Sequence, residues 1–177
     1  DAYLGGLYNA TGAGHVHPMN LCLGEAKAAV SSGAQIFEQS AVVSIQQGDR
    51  VKLFTDSGSV NAARVILCGN AYMGELVPQL AQQMLPASTC IVVTEPLGEV
   101  LASKIMPADV AASDPRTALD YFRMTPDRRL LFGGLSNYTG LVPNNYSQVM
   151  RRKMLKIFPE LESVGIEFAW DGQMGIG

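Results

Sequence analysis

Four places in the chain combine residue types and spacing that could do chemistry. The first is Asp120-Tyr121-Phe122-Arg123. In a strand, alternation puts Tyr121 and Arg123 on one face and Asp120 and Phe122 on the other. A tyrosine hydroxyl beside an arginine fork could hold a carboxylate, the arginine through paired hydrogen bonds. On residue types alone, a surface arginine beside a half-buried tyrosine remains the plainer alternative. The second place is Ile66-Leu67-Cys68-Gly69-Asn70-Ala71-Tyr72. A buried strand ending in glycine lets a ligand approach the backbone, and in open α/β sheets ligands sit beyond the carboxyl ends of strands. An ordinary tight turn explains the same residues equally well.

The other two places are weaker. His15 and His17 could share a metal, but no third ligand lies near them in sequence, so capping or packing histidines are expected. Alternatively, His17 at a helix start could lend polarity to a cofactor ring. Gly12-Ala13-Gly14 is not a dinucleotide fingerprint. That motif needs G-x-G-x-x-G between a strand and a helix, and here His17 stands at the sixth position.

These residues must be carried by mixed α and β structure. Pro18 suits a first helical position, an apolar stripe through Cys22, Leu23, Ala26, Ala29 and Val30 follows helical spacing, and Gly33 suits a C-terminal cap. The small residues Gly24, Ala26, Ala28 and Ala29 predict close packing, against a sheet. Gln35–Glu38, Val42–Gln46 and Val51–Thr55 read as short strands, with turn chemistry at Gly48-Asp49 and Asp56-Ser57-Gly58. Arg64–Cys68, continuously apolar after its arginine, reads as a strand covered on both faces. A helix is expected over about 74–84, its start blurred by Pro78.

Pro86–Pro96 reads as a linker into a second unit, with a strand inside it at Thr89–Thr94. Thr117–Met124 and Arg129–Gly133 read as strands joined by the turn Thr125-Pro126-Asp127-Arg128. Asn145–Phe158 reads as a helix stopped by Pro159, and Ile166–Trp170 as a last strand. The boundary between the two units is placed at residues 85 and 86.

Composition narrows the function classes. The 177 residues are 47% hydrophobic and carry a net charge of −3, enough for a real core and without the basic stripe of a nucleic-acid binder. Arg151-Arg152-Lys153 reads as the solvated face of a helix. Cys22, Cys68 and Cys90 form no CxxC pair, which argues against zinc or a disulfide framework and reads as buried thiols in a reducing, cytoplasmic setting. No apolar run reaches the roughly 18 residues a spanning helix needs. No metal site, nucleic-acid partner or membrane partner is expected.

Taken in order, the segments resemble a known family. Gly5-Gly6-Leu7-Tyr8, Gly14-His15-Val16-His17-Pro18-Met19-Asn20-Leu21, Gly33–Ile45, Thr55–Gly58 with Ala63–Tyr72, Asp120–Arg123 with Leu130–Gly134, and Ala169-Trp170-Asp171-Gly172 are similar to the D-amino-acid-oxidase-like FAD-dependent oxidoreductases. The resemblance is greatest to the gamma-glutamylputrescine oxidoreductase branch, and it runs along essentially the whole chain.

The resemblance implies a mixed α+β and α/β fold. Residues 1–85 would be part of a Rossmann-like FAD-binding domain, and residues 86–177 part of an antiparallel-sheet substrate domain. In this family a glycine-rich βαβ unit for the FAD pyrophosphate lies before the stretch matched here, and another flavin-contacting segment lies after it. The chain is therefore expected to be an internal piece, inactive alone and prone to self-association through exposed surfaces. By position, Val42 would meet the adenine through its backbone, Gly69 and Asn70 would lie near the pyrophosphate, and Tyr121 would be the substrate-side, catalytic tyrosine. The implied activity is oxidation of the C–N bond of a small amine or amino acid, with hydride transfer to the flavin. No acid or base from this chain is required if the amine binds neutral. A dehydrogenase using an acceptor other than oxygen, and a non-enzymatic α+β binding module sharing the fold, remain alternatives.

Overall fold

A computed structural model describes residues 2–177. The chain divides into two compact units, Val16–Met84 and a second made of Leu85–Gly177 with the N-terminal segment through His15. A single cut at residue 85 therefore misplaces the N-terminal segment, whose tertiary contacts are with the later unit.

In the Val16–Met84 unit, helix α1 spans Pro18–Ser31. His17 caps it: its Nδ1 accepts from the Asn20 N–H at 3.3 Å, and Pro18 takes the first position, where a missing N–H costs nothing. The Ser32 N–H and hydroxyl satisfy carbonyls of the last turn, and Gly33 (φ +94°) turns the chain away in the left-handed region. The expected close packing of α1 is not found. None of its residues is buried, and only its Ala26 and Ala29 reach half-burial.

Strands β1 (Ser44–Gln46), β2 (Val51–Thr55) and β3 (Gly58–Ala62) form an antiparallel sheet in that order. Asp56-Ser57 is the two-residue turn between β2 and β3. Two expected strands are absent. Gln35–Glu38 makes no ladder and runs into a turn at Gln39 (φ +51°). Arg64–Cys68 also lacks ladder pairing, and its Ile66 is exposed. An apolar run becomes a buried strand only with strands beside it, and no strand among the described residues pairs with this one. The helix expected over 74–84 is instead a 3-10 stretch at Asn70–Leu76, kinked at Gly74 (φ +53°), followed by the short helix α2, Pro78–Ala81. Pro78 thus starts a helix rather than interrupting one.

The second unit is built on a five-stranded antiparallel sheet in the order β5-β6-β7-β4-β8. Its elements along the chain are β4 (Leu85–Thr94), α3 (Gly98–Ile105), β5 (Ala111–Ser113), β6 (Tyr121–Met124), β7 (Leu130–Asn137), α4 (Tyr146–Ile157) and β8 (Ile166–Ile176). The segment read as a linker is largely β4. Pro86 is tolerated there because β4 runs past the end of β7 and pairs on one side only, with Gly175 of β8. β8 runs six residues beyond the expected end at Trp170, to Ile176. Helix α3 and strand β5 carry no periodic signal strong enough to have been read.

One face of this sheet is the core. Cys90, Val92, Leu130 and Phe132 pack against Met150 and Met154 of α4, with Ala102 of α3, Leu161 and Val164 completing it. Met150 and Met154, four apart, are both fully buried on one helical face. Phe122 adds a stacked contact to Phe132 and an edge contact to Phe158. Thr94 is buried but satisfied, its hydroxyl accepting from the Leu130 N–H at 3.0 Å.

Candidate active site

The opposite face of the five-stranded sheet is open, and its register assembles a row of side chains. Tyr121 on β6 pairs with Gly133 on β7, Gly133 with Ile91 on β4, and Ile91 with Trp170 on β8. A second row runs Arg123, Leu131, Val93, Phe168. Tyr121 and Arg123 thus share the open face while Phe122 enters the core, as strand alternation predicts.

Tyr121 is held in place from below and at its tip. A Cβ at Gly133 would overlap Cε2 and Cζ of the tyrosine, so the ring lies directly over the glycine backbone. Its hydroxyl is 3.3 Å from Thr89 Oγ1, which itself donates to the Gly134 carbonyl at 3.2 Å. With the threonine proton committed, the tyrosine is the donor in the first bond and keeps its lone pairs. Arg123 Nη1 lies 3.0 Å from Nδ1 of His15, and His15 Nε2 lies 3.3 Å from Asp109. An arginine can only donate, so Nδ1 is the acceptor in this contact. The remaining guanidinium edge of Arg123 makes no hydrogen bond among the described residues. A cleft of about 1030 Å³ lies beside β5, lined by Tyr3, Gly5–Tyr8, residues 110–115 and Phe122. The glycine-rich opening of the chain forms its outer wall.

Behind the open face is a charged network that sequence reading missed. Asp114 and Asp120 are buried. Arg116 bridges them: Nε donates to Asp114 at 2.8 Å and Nη2 to Asp120 at 2.6 Å, while Lys153 of α4 reaches Asp120 at 2.5 Å. The Arg116 guanidinium holds the Asp114 carboxyl down to about 2. The Tyr3 hydroxyl, 3.4 Å from Asp114, is pushed up by burial and then by the Asp114 charge. The spacing Asp114, Arg116, Asp120 was the available signal, but it runs through a connection where no periodicity fixes direction.

Val42, Gly69 and Asn70 belong to the other unit. Val42 is half-buried just before β1, and Gly69 and Asn70 form an exposed turn. A Cβ on Gly69 would come within 2.5 Å of Met73 Cγ, so this glycine already serves local packing. Asn70 takes φ +47°, and its Oδ1 accepts from the Ala71 N–H at 2.6 Å. The contacts described for Gly69 and Asn70 are local to this turn. No G-x-G-x-x-G run occurs in the chain. His15 and His17 fall in different units, and no cluster of three metal-ligating side chains forms among the described residues. Cys22 and Cys68 are exposed, contrary to expectation, whereas Cys90 is buried. No helix among the described residues is long and apolar enough to cross a membrane.

The family model for FAD dependent oxidoreductases matches residues 1–175. The chain belongs to this FAD-dependent oxidoreductase family. It is 40% identical over 173 residues to gamma-glutamylputrescine oxidoreductase of Escherichia coli strain K12, covering 97% of this chain and 40% of that protein. It is 38% identical over 178 residues to probable oxidoreductase OrdL of Haemophilus influenzae, covering 97% of this chain and 40% of that protein. The chain thus spans 40% of the length of these relatives. In fold it matches glycine oxidase from Geobacillus kaustophilus with a TM-score of 0.69 at 19% identity, covering 88% of this chain and 41% of that one. It matches L-proline dehydrogenase from P. horikoshii with a TM-score of 0.68 at 17% identity, covering 88% and 43%. These likenesses account for the mixed helix and antiparallel-sheet fold of this FAD-dependent family member.

Proposed function

We propose that this chain is part of a flavoprotein that oxidises the C–N bond of a small amine or amino acid bearing a carboxylate. The supporting observation is the open sheet face, where Tyr121 and Arg123 stand two residues apart beside an apolar row ending at Trp170. Arg123 has a guanidinium edge to offer a carboxylate. The Tyr121 hydroxyl can exchange its long bond to Thr89 for a shorter one to the same anion. Ile91, Leu131 and Trp170 supply apolar surface for the substrate's carbon chain and help exclude water.

FAD, when bound, supplies a two-electron acceptor for the hydride lost from the carbon bearing nitrogen. Val42, Gly69 and Asn70 would hold its adenine and pyrophosphate flank, and residues outside this chain would supply the rest of its site. No side chain here needs to take a proton if the amine binds neutral, so this chain's part is binding and orientation. Gamma-glutamyl amines are the favoured substrate class, because the relative of that name is 40% identical over the stretch shared.

The test is anaerobic mixing of the full-length flavoprotein with gamma-glutamylputrescine and a panel of amino acids. Loss of the oxidised-flavin absorbance is expected with at least one of them. A flavin left oxidised by every amine would overturn the proposal.

A further inference from the structure

His15 is the most unusual contact on the open face. It comes from the N-terminal segment, more than a hundred residues from its partner in sequence, and its side chain is only 22% exposed. Arg123 has a long, flexible side chain, and fixing it costs rotamer freedom. A histidine accepting from Nη1 offsets part of that cost before any ligand arrives. It also leaves the other guanidinium edge for a ligand. The Asp109 carboxylate lies 3.3 Å from Nε2, the ring nitrogen turned away from Arg123. That carboxylate is 87% exposed, so it is the weaker member of the chain of contacts.

We infer that His15 is a positioning residue that sets Arg123 for the substrate carboxylate and thereby governs substrate affinity rather than the chemical step. This rests on the reading of the open face as the substrate platform. A residue that only anchored the N-terminal segment would change stability and turnover, and it would not care which group stands at position 123.

The test is a double-mutant cycle in the full-length flavoprotein, read as KM and kcat for a carboxylate-bearing amine. His15→Phe is expected to raise KM about tenfold with kcat held within about twofold. His15→Asn places an amide oxygen near the Nδ1 position and is expected to restore most of the affinity, whereas His15→Gln, with its oxygen further out, is not. In an Arg123→Ala background, His15→Phe is expected to add nothing. If Arg123→Ala leaves KM unchanged, the platform reading fails and this inference falls with it. If Arg123→Ala raises KM but His15→Phe does not, or its effect adds in full to that of Arg123→Ala, the inference alone is overturned. Should His15→Phe fail to fold, nitrogen NMR of the wild-type full-length flavoprotein decides. The Nε2–H tautomer is expected, and an Nδ1–H tautomer overturns the inference.

Discussion

The ring of Tyr121 occupies the space that a side chain at Gly133 would fill. The two residues are direct cross-strand partners on β6 and β7. Gly133→Ala must therefore push the ring off the sheet or strain the strand, at a cost of roughly 1–3 kcal/mol. In the full-length enzyme the expected result is a raised KM from a displaced hydroxyl. Steady-state kinetics, with a thermal melt to measure the strain, checks it. An unchanged KM would show that the ring's position does not matter.

Tyr121→Phe removes the hydroxyl but keeps the ring over Gly133. It should weaken binding of a carboxylate-bearing substrate by about tenfold, the worth of one hydrogen bond to a charged group. Thr89→Val frees the tyrosine proton without removing it and should cost less. Equal losses in the two variants would mean that Thr89, not the substrate, is the functional partner of Tyr121.

The Asp114 carboxyl is held at about 2 against an ordinary 3.8, chiefly by Arg116. A carboxyl depressed by folding stabilises the fold above its unfolded value. That stabilisation is lost as pH falls through the folded value, so the window lies between about pH 4 and pH 2. Asp114→Asn should cost on the order of 2 kcal/mol at neutral pH, with the difference from wild type shrinking across that window. Urea midpoints at several pH values measure it, and a difference constant down to pH 2 would contradict the assignment.

Much of this arrangement was legible in the sequence because it rests on local rules. Alternation along Asp120–Arg123 gave the faces, Pro18 and Gly33 gave the ends of α1, and Met150 with Met154 gave the buried stripe of α4. What failed depended on distant partners. Arg64–Cys68 has the composition of a covered strand, but no strand among the described residues pairs with it. Pro86 suggested a linker because proline disfavours ladders, yet at the end of β4 its one-sided pairing satisfies the rule. The approach of His15 to Arg123 leaves no trace in spacing, since it depends on how the N-terminal segment lies against β6.

The same unpaired surfaces predict behaviour in solution. β8 is an 11-residue edge strand, and Leu4, Leu7 and Ile66 are exposed. Open edges and apolar surface favour association. Light scattering of the 177-residue chain should show self-association that grows with concentration, and FAD fluorescence should show no stoichiometric binding. A stable monomer would contradict the first expectation, and tight binding of FAD the second.

The most direct test of the substrate platform compares a gamma-glutamyl amine with the same amine whose carboxylate has been converted to an amide. The full-length enzyme is assayed as wild type and as Arg123→Ala. Wild type is predicted to prefer the carboxylate form by about ten- to a hundredfold in kcat/KM, with the preference collapsing in the variant. A wild type indifferent to the carboxylate, or a variant that keeps the full preference, would contradict the assignment of Tyr121 and Arg123 to substrate binding.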